Sequence, residues 1–336
     1  MVLNFQKNIS LLPYNTFGIN VKSKKFIGIE NTLELIKVLN QNKEEKILIL
    51  GGGSNLLLTQ DFEGLVIKME NRGIKIVQED NQSASVKVAA GENWHDFVMW
   101  CLNNNLGGVE NLALIPGSVG AAPIQNIGAY GVELEEVFES CEALFLNNNE
   151  IKTFTKSDCK FGYRNSIFKN NLKGKCIICS VNFRLKKPPH NINTFYLGLS
   201  EKLTSDNPSI QSIAQAVIEI RSAKLPNPNQ IKNSGSFFKN PLLSAKQFKA
   251  LQNQYFEMPN YPDQEGKIKI PAAWLIDTLG YKGYREKDVG VHENQALVLV
   301  NYGNASGAEI KKLALEIKSK VLKTFGIDLE FEVNIL

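Results

Sequence analysis

Three consecutive glycines, Gly51 to Gly53, followed by Ser54 and Asn55, end the apolar run KILIL. Backbone without Cβ atoms can approach a ligand closely, and its successive N–H groups can form a nest for phosphate oxygens. The segment has neither the Lys-Ser/Thr ending of a P-loop nor a G-x-G-x-x-G, so alone it equally suits a packing turn. About 65 residues on, IPGSVGAAPIQNIGAYG places small residues at Gly117, Ser118, Gly120, Ala121, Ala122, Gly128 and Ala129. Such a chain can lie flat against a large planar or phosphorylated ligand. An Ω-loop would account for the glycines. It would not account for Gln125 and Asn126, whose amides offer donors and acceptors to a polar heterocycle. The two segments read as the walls of one dinucleotide slot.

Only five arginines are present, Arg72, Arg164, Arg184, Arg221 and Arg285. Each is a candidate for a fixed planar contact to an anion, which lysine makes less well. The five cysteines include Cys176 and Cys179, but KCIICSVNFRL is β-branched and apolar, the pattern of a buried strand rather than of a redox or zinc turn. His95, His190 and His292 are far apart, so no metal ligand set is visible and a metal-free mechanism is expected.

These residues need elements to position them. Helical spacing with capping residues predicts a helix from residue 31, then the buried strand that breaks into glycines. Short strands are expected over 65–90, an amphipathic helix over 92–105, strands over 132–187 and a helix from about Ser209 to Ala223. The Pro-rich KLPNPNQIKNSG reads as a domain junction. Beyond it come helices near 243–254 and 271–279, the strand QALVLVN, a long helix stopped by Gly326, and a final strand IDLEFEVNIL. The fold class is α+β, and 336 residues suit two or three domains. A net charge of +4, with scattered basic residues, gives no support for nucleic-acid binding. No apolar run approaches the ~18 residues that cross a bilayer, and the first residues lack an export signal, so a cytoplasmic protein is expected; a monomer is expected as well.

With these motifs in hand, the chain resembles a known family. GVENLALIPGSVGAAPIQNIGAYG, with YNTFGI, ILGGGSN, FGYRNSIFK, KLPNP, GSFFKNP, AAWLID, HENQALVLVN and LEFEV in order from residue 14 to residue 333, is similar to the UDP-N-acetylenolpyruvoylglucosamine reductases of bacterial cell-wall synthesis. The resemblance implies three domains: 1–67 joined by a strand at 327–336, 68–223, and 224–326. The first two would form an FAD cradle of the p-cresol methylhydroxylase type, and the third a substrate domain. It implies that NADPH reduces FAD, which then reduces UDP-N-acetylglucosamine enolpyruvate to UDP-N-acetylmuramate.

The resemblance also assigns residues. FAD would lie against Gly51, Gly52, Gly53, Ser54 and Asn55, and against Pro116, Gly117, Ser118, Gly120, Ala121, Ile124, Gln125, Asn126 and Gly128. Arg164 would meet the charge that develops on the enolpyruvyl carboxylate, Ser236 would donate the proton, and Glu332 would assist. Substrate or nicotinamide contacts would come from Tyr163, Lys224, Asn240, Tyr261, Lys269, Lys282 and Gln295. Tyr196 would be the loop tyrosine of the longer subtype, although FYLGLS departs from the usual spacing. KLPNP has Asn227 where the family usually shows Asp. The competing readings are an oxidase on the same scaffold, which often links its flavin to a His or Cys absent from both glycine segments, and a non-catalytic nucleotide-binding regulator. The regulator would leave Arg164, Ser236 and Glu332 without a purpose.

Overall fold

In a computed structural model, residues 3–196, 198–203, 205, 207–262 and 266–336 are described. The chain divides into two compact units. The first comprises the N-terminal residues to Ile9 with Ser23–Gly52 and Phe62–Ser222, and the second comprises Ser10–Lys22, Gly53–Asp61 and Ala223–Leu336.

The first unit contains two sheets. In one, Lys22–Ile29, Phe62–Met69 and Ile47–Leu50 run parallel, with Gln6–Ser10 at the edge. Helix Thr32–Gln41 makes the crossover, starting where the Asn31 side chain accepts the Glu34 N–H (2.9 Å) and burying Leu35, Val38 and Leu39. The other sheet is antiparallel, in the order Ile151–Thr155, Phe138–Phe145, Cys176–Lys186, Ser83–Ala89 and Ile74–Glu79. Its central strand is the KCIICSVNFRL run, and burial raises the Cys176 thiol to about 11, so this pair is packing, as its sequence context implies. Helices Trp94–Asn103 and Ile210–Lys224 contribute Trp94, Phe97, Ile213 and Val217 to one core with Val86, Val181 and Phe183 of the sheet. Residues 107–131 form 3-10 turns and a two-residue hairpin, so the irregularity expected there is observed.

The second unit is built on an antiparallel sheet ordered Lys232–Ser236, Val298–Asn301, Val289–Val291 and Arg285–Glu286. Helix Gly307–Phe325 packs on it, begun by a Ser306/Glu309 capping box and ended by Gly326 at φ 67°. The expected final strand over 327–336 needs correction. Only Asn334–Ile335 is strand, parallel to Leu56–Leu57, with a single bridge from Phe331 to Phe238 upstream. The segment facing residues 330–332 is short, lying between a left-handed Gly235 (φ 69°) and Pro241, which has no N–H to donate.

Candidate functional site

In the first unit the two glycine segments meet. A Cβ on Gly52 would stand 2.7 Å from the Gly117 Cα, and one on Gly51 would stand 2.4 Å from Ser118 Oγ. Those contacts are available only to glycine, which is why these residue types recur in segments so far apart in sequence. The N–H groups of Val119, Gly120 and Ala121 are spent on Glu92, Ala90 and Ser118 carbonyls, so the second wall is rigid. Pro116, Ala121 and Ile124 present their side chains to solvent, while Ser118 is buried. At the start of this wall, His95 Nδ1 accepts the N–H of Leu114 (3.1 Å), which holds φ 59°. Burial lowers the His95 pKa, which favours the neutral ring that this acceptor role requires.

Asn126 has a different place from that of a ligand-facing amide. It is fully buried at φ 45°, its Nδ2 donates to Glu133 (2.8 Å) and to the Gly162 carbonyl (3.3 Å), and its Oδ1 accepts the Glu135 N–H (3.0 Å). Its amide therefore locks the loop. Gln125 Oε1 accepts from Lys169 Nζ (3.2 Å), and the same ammonium donates to the Arg164 carbonyl (3.2 Å). Arg164 sits at φ 50°, donates from Nη2 to the Gly128 carbonyl (2.6 Å), and rests over the Tyr163 ring at 5.5 Å. A side chain at Gly128 would stand 3.1 Å from Arg164 Nη1, so this glycine makes room for the guanidinium. A non-glycine residue held at positive φ costs roughly 1 kcal/mol or more, a cost often found where function fixes a side chain. Tyr196, 41% exposed, sets its ring edge to Tyr130 at 4.8 Å.

In the second unit the chain just after Ser236 runs beside the chain at Glu332. Glu332 N–H donates to the Phe237 carbonyl (2.9 Å), and Lys239 N–H donates to the Glu330 carbonyl (2.9 Å). This pairing places Glu332 beside the residue that follows Ser236. It also separates the two carboxylates that sequence spacing could confuse: Glu330 pairs with Lys239 at 2.7 Å and is largely exposed, whereas Glu332 is half-buried. Asn55 Nδ2 donates to the Glu332 carbonyl (3.3 Å), and the Asn55 carbonyl accepts from Asn334 N–H (3.2 Å). Gly53, at φ 64°, is fixed by the Tyr14 carbonyl, 2.0 Å from where its Cβ would be, and Ser54 is half-buried beside it. Thr16 joins these pieces, donating its N–H to Gly53 O (3.1 Å) while its hydroxyl lies 3.2 Å from Ser234 Oγ.

The other expected contacts are spread over this unit. Tyr261 and Lys269 face each other across a strand pair. Asn240 Oδ1 accepts the Ala272 N–H (2.9 Å) at a helix start, Gln295 accepts the Leu297 N–H (3.3 Å), Lys282 pairs with Asp277 (2.8 Å), and Lys224 is exposed at its helix end. Tyr130 and Thr16 are contributors that motif reading passed over.

Residues 24–154 match the model of an FAD binding domain, and residues 227–336 match that of the UDP-N-acetylenolpyruvoylglucosamine reductase C-terminal domain. The chain is similar to the UDP-N-acetylenolpyruvoylglucosamine reductases of Flavobacterium johnsoniae (50% identical, covering 99% of this chain and 100% of that one) and Amoebophilus asiaticus (48%, 99% and 100%). It shares its fold with the crystal structure of the reductase (MurB) from Thermus caldophilus, with a TM-score of 0.70, 23% identity and 99% of each chain covered. No helix among the described residues is long and apolar enough to cross a membrane. With half of all positions shared along essentially the full length of a relative, the chain belongs to the UDP-N-acetylenolpyruvoylglucosamine reductase family and is an oxidoreductase with an FAD-binding domain.

Proposed function

We propose that this enzyme takes reducing equivalents from NADPH and converts UDP-N-acetylglucosamine enolpyruvate to UDP-N-acetylmuramate, a step of peptidoglycan synthesis in the bacterial cytoplasm. The reading carries the three-part division above, with 1–67, 327–336 and 68–223 serving the dinucleotide and 224–326 the sugar nucleotide. The residues present fit FAD: Gly51 and Gly52 pack directly against Ser118 and Gly117, which brings two stretches of backbone with few side chains together at one place. When bound, FAD supplies two-electron hydride chemistry.

The chain's own residues would handle charge and protons. As hydride reaches the terminal vinyl carbon, negative charge builds at the adjacent carbon and spreads into its carboxylate. Arg164 receives that charge through a planar fork whose orientation its Gly128 bond already fixes. Ser236 Oγ gives the proton to the adjacent carbon, and Glu332 assists the otherwise weak acid. Lys224, Asn240, Tyr261, Lys269, Lys282 and Gln295 would hold the diphosphate, uridine or nicotinamide, Tyr163 would support the carboxylate end, and Tyr196 would close over the substrate. The single observation supporting this reading most is that the segments carrying Ser236 and Glu332 lie side by side, joined by the Glu332 N–H to Phe237 carbonyl bond. The test is NADPH oxidation by FAD-loaded enzyme with and without UDP-N-acetylglucosamine enolpyruvate. Substrate-dependent oxidation with a lactyl ether product is expected. A colourless protein that takes up no FAD, or rapid oxygen consumption without the sugar nucleotide, would overturn it.

A further inference from the structure

Residues 190–196, which end at Tyr196, form a strap beyond the antiparallel sheet of the first unit. The strap runs along a cavity of about 240 Å³ that Gly107, Val132 and Val137 also line, and of its apolar side chains only Ile192 packs against the core of this unit. Polar ties hold it instead. Asn111, 1% exposed in the turn Glu110–Leu112, donates both N–H bonds of its amide, to the Tyr130 carbonyl (2.9 Å) and to the Asn193 carbonyl (3.0 Å). Its Oδ1 is sealed from solvent with no hydrogen-bond partner among the described residues. Turning the amide over would aim that oxygen at two carbonyls, so an acceptor is left unpaired to keep both donors in use. Asn193 returns a bond, its Nδ2 donating to the Gly131 carbonyl (3.1 Å), while its Oδ1 accepts the Phe195 N–H (3.1 Å). Tyr130 and Gly131, at φ 51° and 80°, turn the hairpin Gly128–Ala129 with Val132–Glu133, so the backbone sets where their carbonyls point. The Tyr196 ring edge meets the Tyr130 ring at 4.8 Å, and Arg164 donates to the Gly128 carbonyl of the same hairpin.

We infer that Asn111 and Asn193 are positioning residues for substrate binding: they stitch the strap to the hairpin and so fix Tyr196 relative to the hairpin that Arg164 also grips. The inference rests on the proposed reaction for the identity of the ligand and for the role of Tyr196. Two binding measurements read it. In one, FAD-loaded enzyme is titrated with UDP-N-acetylglucosamine enolpyruvate and the perturbed flavin absorbance is followed. In the other, apoprotein is titrated with FAD and quenching of flavin fluorescence is followed.

Asn111→Leu keeps a side chain of similar size and removes both donors. It should weaken substrate binding about tenfold, the worth of a hydrogen bond or two, while FAD affinity stays close to that of wild type. Asn193→Ala, which removes only the bond to Gly131 and the turn at Phe195, should weaken substrate by a smaller factor. A residue that acts through Tyr196 has nothing left to act on once that ring is gone, so Asn111→Leu should cost little in a Tyr196→Ala background. Wild-type substrate affinity in a folded Asn111→Leu protein, or the same loss with and without Tyr196, would overturn the inference. An equal weakening of FAD would show a loosened fold rather than a misplaced tyrosine and would overturn it too. If Asn111→Leu does not fold, Asn193→Ala is carried through the same cycle and the same outcomes decide. A wild-type protein that binds FAD but not the sugar nucleotide would instead defeat the proposed function.

Discussion

The two units hold their candidate chemical groups in different ways. In the first, position is imposed residue by residue: Leu114, Asn126, Tyr130 and Arg164 all stand at positive φ, and glycines meet where no Cβ fits. In the second, the one non-glycine residue at positive φ among those described is Lys287, in a turn between strands. There Ser236 and Glu332 are set by hydrogen bonds between segments nearly a hundred residues apart. The lesson is that a site can be fixed by local backbone geometry or by long-range pairing, and that the two respond differently to mutation.

The largest effect should come from Ser236→Ala. Removing a proton donor costs about 10²- to 10⁴-fold. Rapid-mixing measurements should show NADPH still reducing the flavin while substrate no longer reoxidises it, and unchanged reoxidation would remove Ser236 from the mechanism. Arg164→Ala should follow, with turnover down by about a hundredfold or more and FAD retained. Turnover within a fewfold of wild type would place Arg164 outside the reaction. The comparison is sharpened by Arg164→Gly. If φ 50° is strained for a side chain, the glycine variant should be about 1 kcal/mol more stable than the alanine variant in urea unfolding, although both are inactive. Equal stabilities would show that backbone strain does not set this position.

Gly52→Ala should cost about 1 to 3 kcal/mol and weaken FAD binding, because the Gly117 backbone must move. In the second unit, Gly326→Ala should cost about 1 kcal/mol through its φ of 67° and leave turnover alone, since nothing lies within 4 Å of the added carbon. The smallest effect concerns Lys87 and Glu142. The hydrogen bond from Lys87 (2.7 Å) holds the Glu142 carboxyl below its usual range. A depressed carboxylate contributes stability that is present above its unfolded pKa, about 4.3, and is lost as pH falls through the lower folded value. The partly exposed pair should contribute under about 1 kcal/mol at neutral pH. The difference between wild type and Lys87→Met in urea unfolding should therefore shrink on acidification below the glutamate range, and a difference that grew would contradict the assignment.

Much of this was legible in the chain alone. Helix Gly307–Phe325 and its stop at Gly326, helix Trp94–Asn103 and the buried cysteine strand follow from periodicity, caps and β-branching, which are local properties. The residue types of the two glycine segments announced close approach for the same reason, since absence of Cβ is written in the sequence. What the sequence could not decide was which backbone they approach: Gly52 meets Gly117, while Gly53 meets Tyr14. Nor could it decide that Asn126 turns inward, or that Glu332 rather than Glu330 lies half-buried beside Phe237. Each of these depends on partners distant in the chain, and a hydrogen bond or a desolvated charge acquires its value only when folding has chosen what stands opposite.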